Sequence, residues 1–371
     1  MTRTRHFLSL FIASTFLSGC HTMAAEPAQR AAKARKPAVE ARKPAVEADD
    51  AGEFASFAQW REVSAFIDDM VARHGYSRAE LEGTLSRVRF VDSAIQLMKP
   101  APAGKPKNWA AYRARFVEPV RINAGVSFWN DHADALQRAE EQFGVPAEII
   151  VGILGVETVY GRNTGNFRVM DTVTTLAFAY PDTPTRQARM DYFRGELANT
   201  LLFARDSGID PFSLRGSYAG AIGWPQFMPG SIRKYAVDFD GDGKIDLRNS
   251  PVDAVGSIAN FLLQHGWKRG EPTVFPATLD PASGSGWEMF LNQGLEAKFR
   301  LDEIRAAGVR PGAEPPSDML LGLVDLQNGA APTEYWLGAN NFFAITQYNR
   351  SFFYAMSVIE LGRAVRVARG I

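Results

Sequence analysis

Residues 145–161 read VPAEIIVGILGVETVYG, and they predict a helix that is buried on nearly every face. Pro146 suits the first turn of such a helix, and Gly161 suits a left-handed residue at its end. Gly152 and Gly155 each cost about 1 kcal/mol of helix propensity relative to Ala. We therefore expect another backbone or a ligand to approach the helix closely at these two glycines.

Glu157 lies in the last turn of this helix among apolar neighbours. The residues four and three positions before it are Ile153 and Leu154, so the helix itself offers it no partner. Desolvation and the negative end of the helix dipole both raise the pKa of such a carboxyl. Two interpretations follow: a general acid held protonated near neutral pH, or a structural glutamate paired with a distant arginine.

Apolar spacing on both sides of this segment predicts a mainly α-helical chain of the α+β class. The predicted helices are 56–74, 78–88, 123–143, 146–160, 191–207, 251–265 and 352–368. Between about 271 and 336, short apolar runs separated by Pro and Gly instead predict a small β subdomain. Its expected strands are 273–275, 296–301 and 320–326.

Composition excludes several classes of function. The 371 residues carry 41 Lys+Arg and 41 Asp+Glu, and this balance argues against a nucleic-acid partner. Cys20 is the only cysteine, which excludes a disulfide framework and a Cys-rich metal site. The chain also contains no HExxH, GxSxG, Walker or GxGxxG motif. The generous share of aromatic residues favours carbohydrate as the ligand.

The N-terminus predicts export and a lipid anchor. Arg3 and Arg5 precede an apolar run over 7–17 that is too short to span a bilayer. Residues 17–20, LSGC, resemble a bacterial lipobox, which implies a signal peptide over 1–19 and lipidation of Cys20. His21 stands where an inner-membrane retention signal usually has Asp, so the resemblance favours the periplasmic face of the outer membrane. An ordinary cleavable signal is the alternative.

Residues 20–53 predict a disordered tether rather than a folded segment. The heptad ARKPAVE occurs at 34–40 and again at 41–47. A coiled coil is excluded because each copy contains a proline and too few apolar residues. We therefore expect a spacer between the anchor and a catalytic domain over 54–371.

Two longer segments carry a family resemblance. Residues 152–162, GILGVETVYGR, and 215–231, RGSYAGAIGWPQFMPGS, resemble the signatures of the membrane-bound lytic murein transglycosylase B family. The resemblance implies a lysozyme-like core with an α subdomain and a small β subdomain. It also implies cleavage of the MurNAc–GlcNAc β-1,4 bond of peptidoglycan glycan strands with formation of 1,6-anhydroMurNAc ends. Glu157 would be the single acid/base, without a cofactor, and wall-synthesis proteins are a further hypothesis for partners.

The resemblance also implies a set of substrate contacts. These are Tyr112, Arg189, Ser217, Gln226, Phe343 and Tyr348. Ser217 and Gln226 would form hydrogen bonds with the acetamido group, the ring hydroxyls and the catalytic acid, and Arg189 would pair with a peptide-stem carboxylate. Phe261 and Phe343 stand where related proteins often carry Tyr, which puts the corresponding hydroxyl contacts in doubt.

Residues 238–246, DFDGDGKID, match the first nine positions of an EF-hand loop. The match ends at position 12, where Asn249 replaces the bidentate Glu, and the longer loop of related transglycosylases implies that Asp253 closes the site. The expected ligands of a structural Ca²⁺ are Asp238, Asp240, Asp242, the backbone carbonyl of Lys244, and Asp253. A solvated acidic turn is the alternative.

Two other functions remain compatible with these observations. A hydrolytic muramidase would share the fold and the acid but consume water. A non-catalytic lipoprotein that only binds peptidoglycan is disfavoured because Glu157 is intact within its motif.

Overall fold

Helices dominate the computed structural model, which describes residues 60–100, 104 and 106–371. The helices are α1 (Arg61–His74), α2 (Arg78–Leu85), α3 (Asp92–Met98), α4 (Trp109–Arg113), α5 (Pro119–Asp131), α6 (Ala133–Phe143), α7 (Ala147–Thr158), α8 (Val169–Phe178), α9 (Arg186–Asp206), α10 (Pro229–Tyr235), α11 (Pro251–Gln264), α12 (Leu301–Ala306), α13 (Asn340–Thr346) and α14 (Phe352–Arg369). The predicted signal peptide, Cys20 and the tether lie outside the described residues. Within those residues, no helix has both the length and the apolar character needed to cross a membrane.

The predicted central helix is α7, and it lies in the core. All of its residues except Glu148 and Glu157 are buried. Its most extensive packing is against α14, and α5, α6 and α11 also contact it. The continuous apolar sequence is therefore explained by neighbours on several sides.

The two glycines of α7 mark its contact with α14, as the sequence predicted. A Cβ added to Gly152 would lie 2.2 Å from the backbone oxygen of Val358, and one added to Gly155 would lie 2.6 Å from Cδ2 of Leu361. On the opposite helix, a Cβ on Gly362 would lie 2.1 Å from the backbone oxygen of Glu148. The two helices thus approach each other to backbone contact, which fixes α14 relative to Glu157.

Helix α7 ends earlier than the sequence indicated. Val159 and Tyr160 already have φ of 51° and 55°, ahead of Gly161 at 80°. Non-glycine residues in this region cost on the order of 1–3 kcal/mol each, so surrounding contacts must hold them. The Thr158 hydroxyl supplies one such contact by donating to the Trp224 carbonyl at 2.9 Å. The last turn, which carries Glu157, is therefore held from outside the helix.

The other predicted helices are present with shifted bounds, and one of them is divided. The segment 123–143 forms α5 and α6, which are separated at His132 with φ of −125°. Several helices were missed, and α8 shows why. Every residue of α8 is buried, so its sequence has no polar face from which to recognise a 3.6-residue period.

A small antiparallel sheet forms between Val274 and Gly338, in the region where short apolar runs predicted strands. Its antiparallel strands are β3 (Val274–Leu279), β4 (Val309–Pro311), β5 (Gly322–Asn328) and β6 (Ala331–Gly338), in the order β4-β3-β6-β5, while β1 (Phe167–Arg168) pairs with β2 (Arg215–Gly216) elsewhere. The predicted strand 296–301 was wrong: Phe299 forms only an isolated bridge with Leu321, and α12 begins at Leu301. Apolar residues including Phe290, Ile304 and Leu321 give this sheet a small core of its own.

Candidate active site

A cleft of about 590 Å³ opens beside the end of α7. Side chains from α4, α9, α10, α11 and the turn between α13 and α14 form its walls. Glu157 and Val156 reach it from the last turn of α7. A helix of the core therefore presents its one cleft-facing acid at the place where the core opens.

Glu157 is densely surrounded by protein atoms but keeps part of its surface open to the cleft. Burial raises the pKa of its carboxyl from 4.5 to about 7. This is the direction that the sequence predicted, and it leaves a substantial protonated fraction at neutral pH. Within the described residues, no ion pair involves Glu157, so the interpretation as a structural Arg-paired glutamate finds no support.

Tyr354 is the hydrogen-bond partner of Glu157, and sequence reasoning missed it. Its hydroxyl donates to Oε1 of Glu157 at 2.6 Å, from the first turn of α14. This bond lowers the pKa of Glu157 and partly opposes the effect of burial. Among the described residues, Glu157 forms no hydrogen bond with Ser217 or Gln226, the two partners that the resemblance implied. The two partners are 197 residues apart, so no local pattern could have revealed the pair.

Three of the predicted substrate contacts line the cleft together with Glu157: Tyr112, Gln226 and Tyr348. Both amide hydrogens of Gln226 are used, on the carbonyls of Thr164 (3.0 Å) and Gly223 (2.9 Å), so its oxygen is the atom left for a ligand. The Tyr348 hydroxyl donates to the Pro225 carbonyl at 2.5 Å, which leaves mainly its ring for contact. Burial raises the pKa of Tyr112 to about 12, so its hydroxyl remains a donor at any physiological pH.

The other three predicted contacts do not line the cleft. Ser217 lies in a tight turn and accepts a hydrogen bond from the Ala221 amide at 3.0 Å. Arg189 lies in the first turn of α9, where its Nη1 is buried without a partner among the described residues. Phe343 is 4 % exposed and packs in the core against Gly322 and Phe352. A phenylalanine suits this position because its ring is buried against the rings of Phe342 and Phe352.

Phe261, the second position where Tyr was expected, does line the cleft. Its ring stacks on His265 with centroids 4.0 Å apart and meets Tyr348 edge-on at 4.9 Å. Tyr235 also packs against this ring, at 5.1 Å. One wall of the cleft is therefore an aromatic surface of the kind that contacts the apolar faces of sugar rings.

Glu196 is a second buried carboxyl in the cleft that the sequence did not single out. Its Oε2 accepts a hydrogen bond from the Gly230 amide at 2.8 Å, and the Tyr192 hydroxyl also bonds to it. Burial raises the pKa of Glu196, while these donors and Lys234 oppose the shift. Glu196 thus connects α9 to the start of α10 and is held by groups of the protein itself.

The acidic loop brings part of the predicted metal ligands together. One oxygen each from Asp238, Asp240 and Asp253 lies within 4.8 Å of the others. The Asp253 carboxylate is 1 % exposed and accepts the amides of Phe239 and Asp246, both at 2.8 Å. Three close carboxylates repel one another, so this arrangement fits a hard cation that takes oxygen ligands.

The other two predicted ligands, Asp242 and the backbone carbonyl of Lys244, are not among these three carboxylates. The Asp242 carboxylate does not join the three, and it accepts the Lys244 amide at 2.8 Å. The loop therefore converges on three carboxylates rather than on the full set expected from sequence.

Comparison with known proteins gives consistent matches over most of the chain. The model of the transglycosylase SLT domain matches residues 56–363. The chain is 43% identical over 322 residues to membrane-bound lytic murein transglycosylase B of Escherichia coli (strain K12), which is 84% of this chain and 85% of that protein.

Solved structures agree with this match. Catenated lytic transglycosylase SltB1 from Pseudomonas aeruginosa has a TM-score of 0.77 at 43% identity and covers 85% of this chain and 100% of its own. Escherichia coli lytic transglycosylase Slt35 in complex with calcium has a TM-score of 0.74 at 42% identity, over 86% of this chain and 98% of its own. The lysozyme-like fold with a small β subdomain is thereby confirmed.

Proposed function

The chain belongs to the transglycosylase SLT domain family, and we propose that Glu157 performs both proton transfers of a lytic murein transglycosylase. The enzyme cleaves the β-1,4 bond between MurNAc and GlcNAc and leaves a 1,6-anhydro ring on MurNAc. The observation that carries the role of Glu157 is its position: a carboxyl with a pKa of about 7, open to the cleft.

The two transfers need one group that is first an acid and then a base. Protonated Glu157 gives its proton to the glycosidic oxygen as the C1–O bond breaks. The resulting carboxylate takes the proton of the MurNAc 6-hydroxyl, whose oxygen forms the new bond to C1. The acid is restored and no water is consumed. A pKa near neutrality suits both halves, because neither protonation state is strongly disfavoured.

Glu196 does not serve as the second carboxyl of a hydrolase in this proposal. Hydrolytic glycosidases use two carboxyl groups, one of which acts as nucleophile or activates water. The Glu196 carboxylate is already engaged by the Gly230 amide and the Tyr192 hydroxyl. These contacts give Glu196 a structural role, because they join α9 to α10.

Product analysis separates transglycosylation from hydrolysis. Purified sacculi digested with the enzyme should yield muropeptides with anhydroMurNAc ends, each lighter by one water than a reducing end. Mass spectrometry of the fragments measures this directly. Reducing MurNAc ends as the main product would favour the muramidase, and an absence of soluble fragments would favour a binding lipoprotein.

We propose that the cleft contacts of the glycan come from Tyr112, Gln226 and the aromatic wall around Phe261. Arg189 remains a candidate for a stem carboxylate because its buried Nη1 has no partner among the described residues and it lies near Tyr192 of the cleft. Ser217 and Phe343 would then support the walls of the cleft without contacting the glycan.

Replacing Tyr354 by Phe should extend activity to higher pH. The hydrogen bond from Tyr354 stabilises the carboxylate of Glu157, so its loss raises the pKa of that group above about 7. Since the first step needs the protonated acid, the alkaline limb of the kcat/KM profile should move upward. Tyr348→Phe is the control: its hydroxyl bonds the Pro225 carbonyl, so the limb should remain at the wild-type pH. A limb that does not move in Tyr354→Phe contradicts the role given to this bond.

For the acidic loop we propose a structural Ca²⁺ held by Asp238, Asp240 and Asp253, with Asp242 and the Lys244 carbonyl as further candidate ligands. The support is the convergence of three carboxylates and the calcium complex of the relative Slt35. The cation would offset their mutual repulsion and join the loop to α11. It has no part in the proposed proton transfers, which use Glu157 alone.

Calcium should raise the Tm of the wild-type protein according to mass action, by an amount that grows with the logarithm of its concentration above Kd. Asp240→Asn should reduce or abolish this shift, and differential scanning calorimetry measures both. Mg²⁺ is the matched control, because its demand for octahedral geometry suits this loop less well. A Tm that does not change with millimolar Ca²⁺ would contradict the proposed calcium site.

For localisation we propose the periplasmic face of the outer membrane, with lipidated Cys20 as anchor and 20–53 as spacer. The support is the lipobox-like sequence together with the match to a membrane-bound relative. Palmitate labelling of the wild type and of Cys20→Ser tests it, and an unlabelled wild-type protein would remove the anchor. Peptidoglycan glycan strands are the proposed partner, and recruitment by wall-synthesis proteins is a further proposal.

A further inference from the structure

Arg350 is a cation in the cleft that none of the roles above uses. It lies in the turn between α13 and α14, it lines the cleft, and its side chain is half-buried. Among residues 60–100, 104 and 106–371, its guanidinium forms no hydrogen bond, ion pair or cation–π pair. A partly desolvated guanidinium normally obtains such partners, because leaving its donors unused costs free energy.

The fold makes this position unfavourable for an unpaired cation. Arg350 immediately precedes Ser351, whose hydroxyl caps the start of α14 by accepting the Tyr354 amide at 3.4 Å. The start of a helix carries the positive end of its dipole, which disfavours a neighbouring cation. The dipole of α14 therefore does not stabilise the charge of Arg350.

The acids of the cleft are all engaged elsewhere. Glu157 accepts from Tyr354, Glu196 accepts from Gly230, and Asp191 pairs with Arg194 at 2.6 Å. The burial and hydrogen bonding of Glu157 account for its pKa without Arg350. Arg350 is thus neither the counter-ion of a protein carboxylate nor the group that tunes the catalytic acid.

We propose that Arg350 is a specificity-determining residue that binds a carboxylate of the substrate glycan. This inference rests on the proposed function, since it assigns a ligand within the same cleft. Peptidoglycan offers one chemistry from two sources: the lactyl carboxylate of a MurNAc without peptide, and the carboxylates of a peptide stem. A guanidinium matches either with two parallel hydrogen bonds. Its neighbours Tyr348 and Tyr354 place this contact on the same wall as the partner of the acid.

The experiment compares three glycan substrates for wild type, Arg350→Gln and Arg350→Lys. The substrates are strands with peptide stems, strands stripped of peptide by an amidase, and strands whose carboxylates are all converted to amides. Arg363→Gln is the matched control, because Arg363 lies on α14, is exposed and does not line the cleft. Anhydro ends are counted to obtain kcat and KM.

Arg350→Gln should raise KM by roughly ten-fold on the substrate that carries the recognised carboxylate, the effect of losing one charge-assisted hydrogen-bonded contact. Arg350→Lys should reverse part of this rise in KM, and Arg363→Gln should have the wild-type KM. An effect on stripped strands identifies the lactyl carboxylate, whereas an effect confined to peptide-bearing strands identifies the stem. On fully amidated strands, wild type and Arg350→Gln should have the same KM.

Two results would overturn the inference. One is an unchanged KM of Arg350→Gln on both charged substrates. The other is an equal loss on charged and amidated strands, which would assign Arg350 to the shape of the wall. In both cases wild type would still form anhydro ends, so the proposed function stands. A wild type without anhydro ends fails the proposed function separately.

Discussion

Replacing Glu157 by Gln is expected to reduce kcat at least about 10³-fold, because one group supplies both the proton donated and the proton accepted. A carboxamide at this position can do neither. The Tyr354 hydroxyl can still donate to the amide oxygen, so the geometry of the cleft should persist. The measurement is the rate of anhydroMurNAc formation from sacculi, together with binding of the variant to sacculi, which should remain.

Glu148→Gln is the matched control for this variant. Glu148 is the other acid of α7, but it lies 3.3 Å from Nε of Arg366 and does not line the cleft. Its replacement should therefore leave kcat near the wild-type value. Retained turnover in Glu157→Gln, or equal losses in the two variants, would refute the assignment of the acid.

The same substitution makes a prediction about stability with a definite sign. The folded-state pKa of Glu157 is raised from 4.5 to about 7, so the folded state loses stability relative to the unfolded state as pH rises between these values. Gln carries no such penalty. At pH 8 the Tm of Glu157→Gln should therefore equal or exceed that of wild type, and the difference should disappear near pH 4. A lower Tm at pH 8 would show that the carboxylate is structural.

Gly152→Ala is expected to be among the most destabilising methyl additions in the chain. The new Cβ would lie 2.2 Å from the Val358 oxygen, which belongs to the backbone of a neighbouring helix and cannot rotate away. Overpacking of this kind costs about 3 kcal/mol at the upper end of its usual range, or a Tm lower by roughly 6–12 °C. Separation of α7 from α14 would also move Tyr354 away from Glu157, so activity should fall at temperatures where the protein is still folded.

Gly83→Ala is the control for this second prediction. Gly83 lies within α2, and a Cβ there would meet no atom within 4 Å. Alanine should therefore stabilise the protein by up to about 1 kcal/mol through helix propensity. If Gly152→Ala unfolds at the wild-type Tm in calorimetry, the backbone contact between α7 and α14 is not as close as described.

Features that depend on local pattern could be predicted from the sequence. The apolar run of α7, its two glycines and the isolated acid in its last turn predicted a buried helix, close helix packing and a raised pKa. Each of these follows from which residues are neighbours along one helix, whatever the helix packs against. The alternating Asp residues of the loop likewise predicted an acidic cluster, because ligand spacing within a short loop is local.

Contacts between groups distant in sequence could not be predicted without the packing of the helices. Tyr354 bonds to Glu157 across 197 residues of sequence. Arg350 lines the cleft because the turn before α14 is held by the packing of that helix against α7. The placement of Phe343 in the core, outside the cleft, was decided in the same way. The physical reason is common to all three: their surroundings are set by how helices pack over long separations in sequence. Hydrophobic periodicity predicts only that a face is buried and does not identify the element that it packs against.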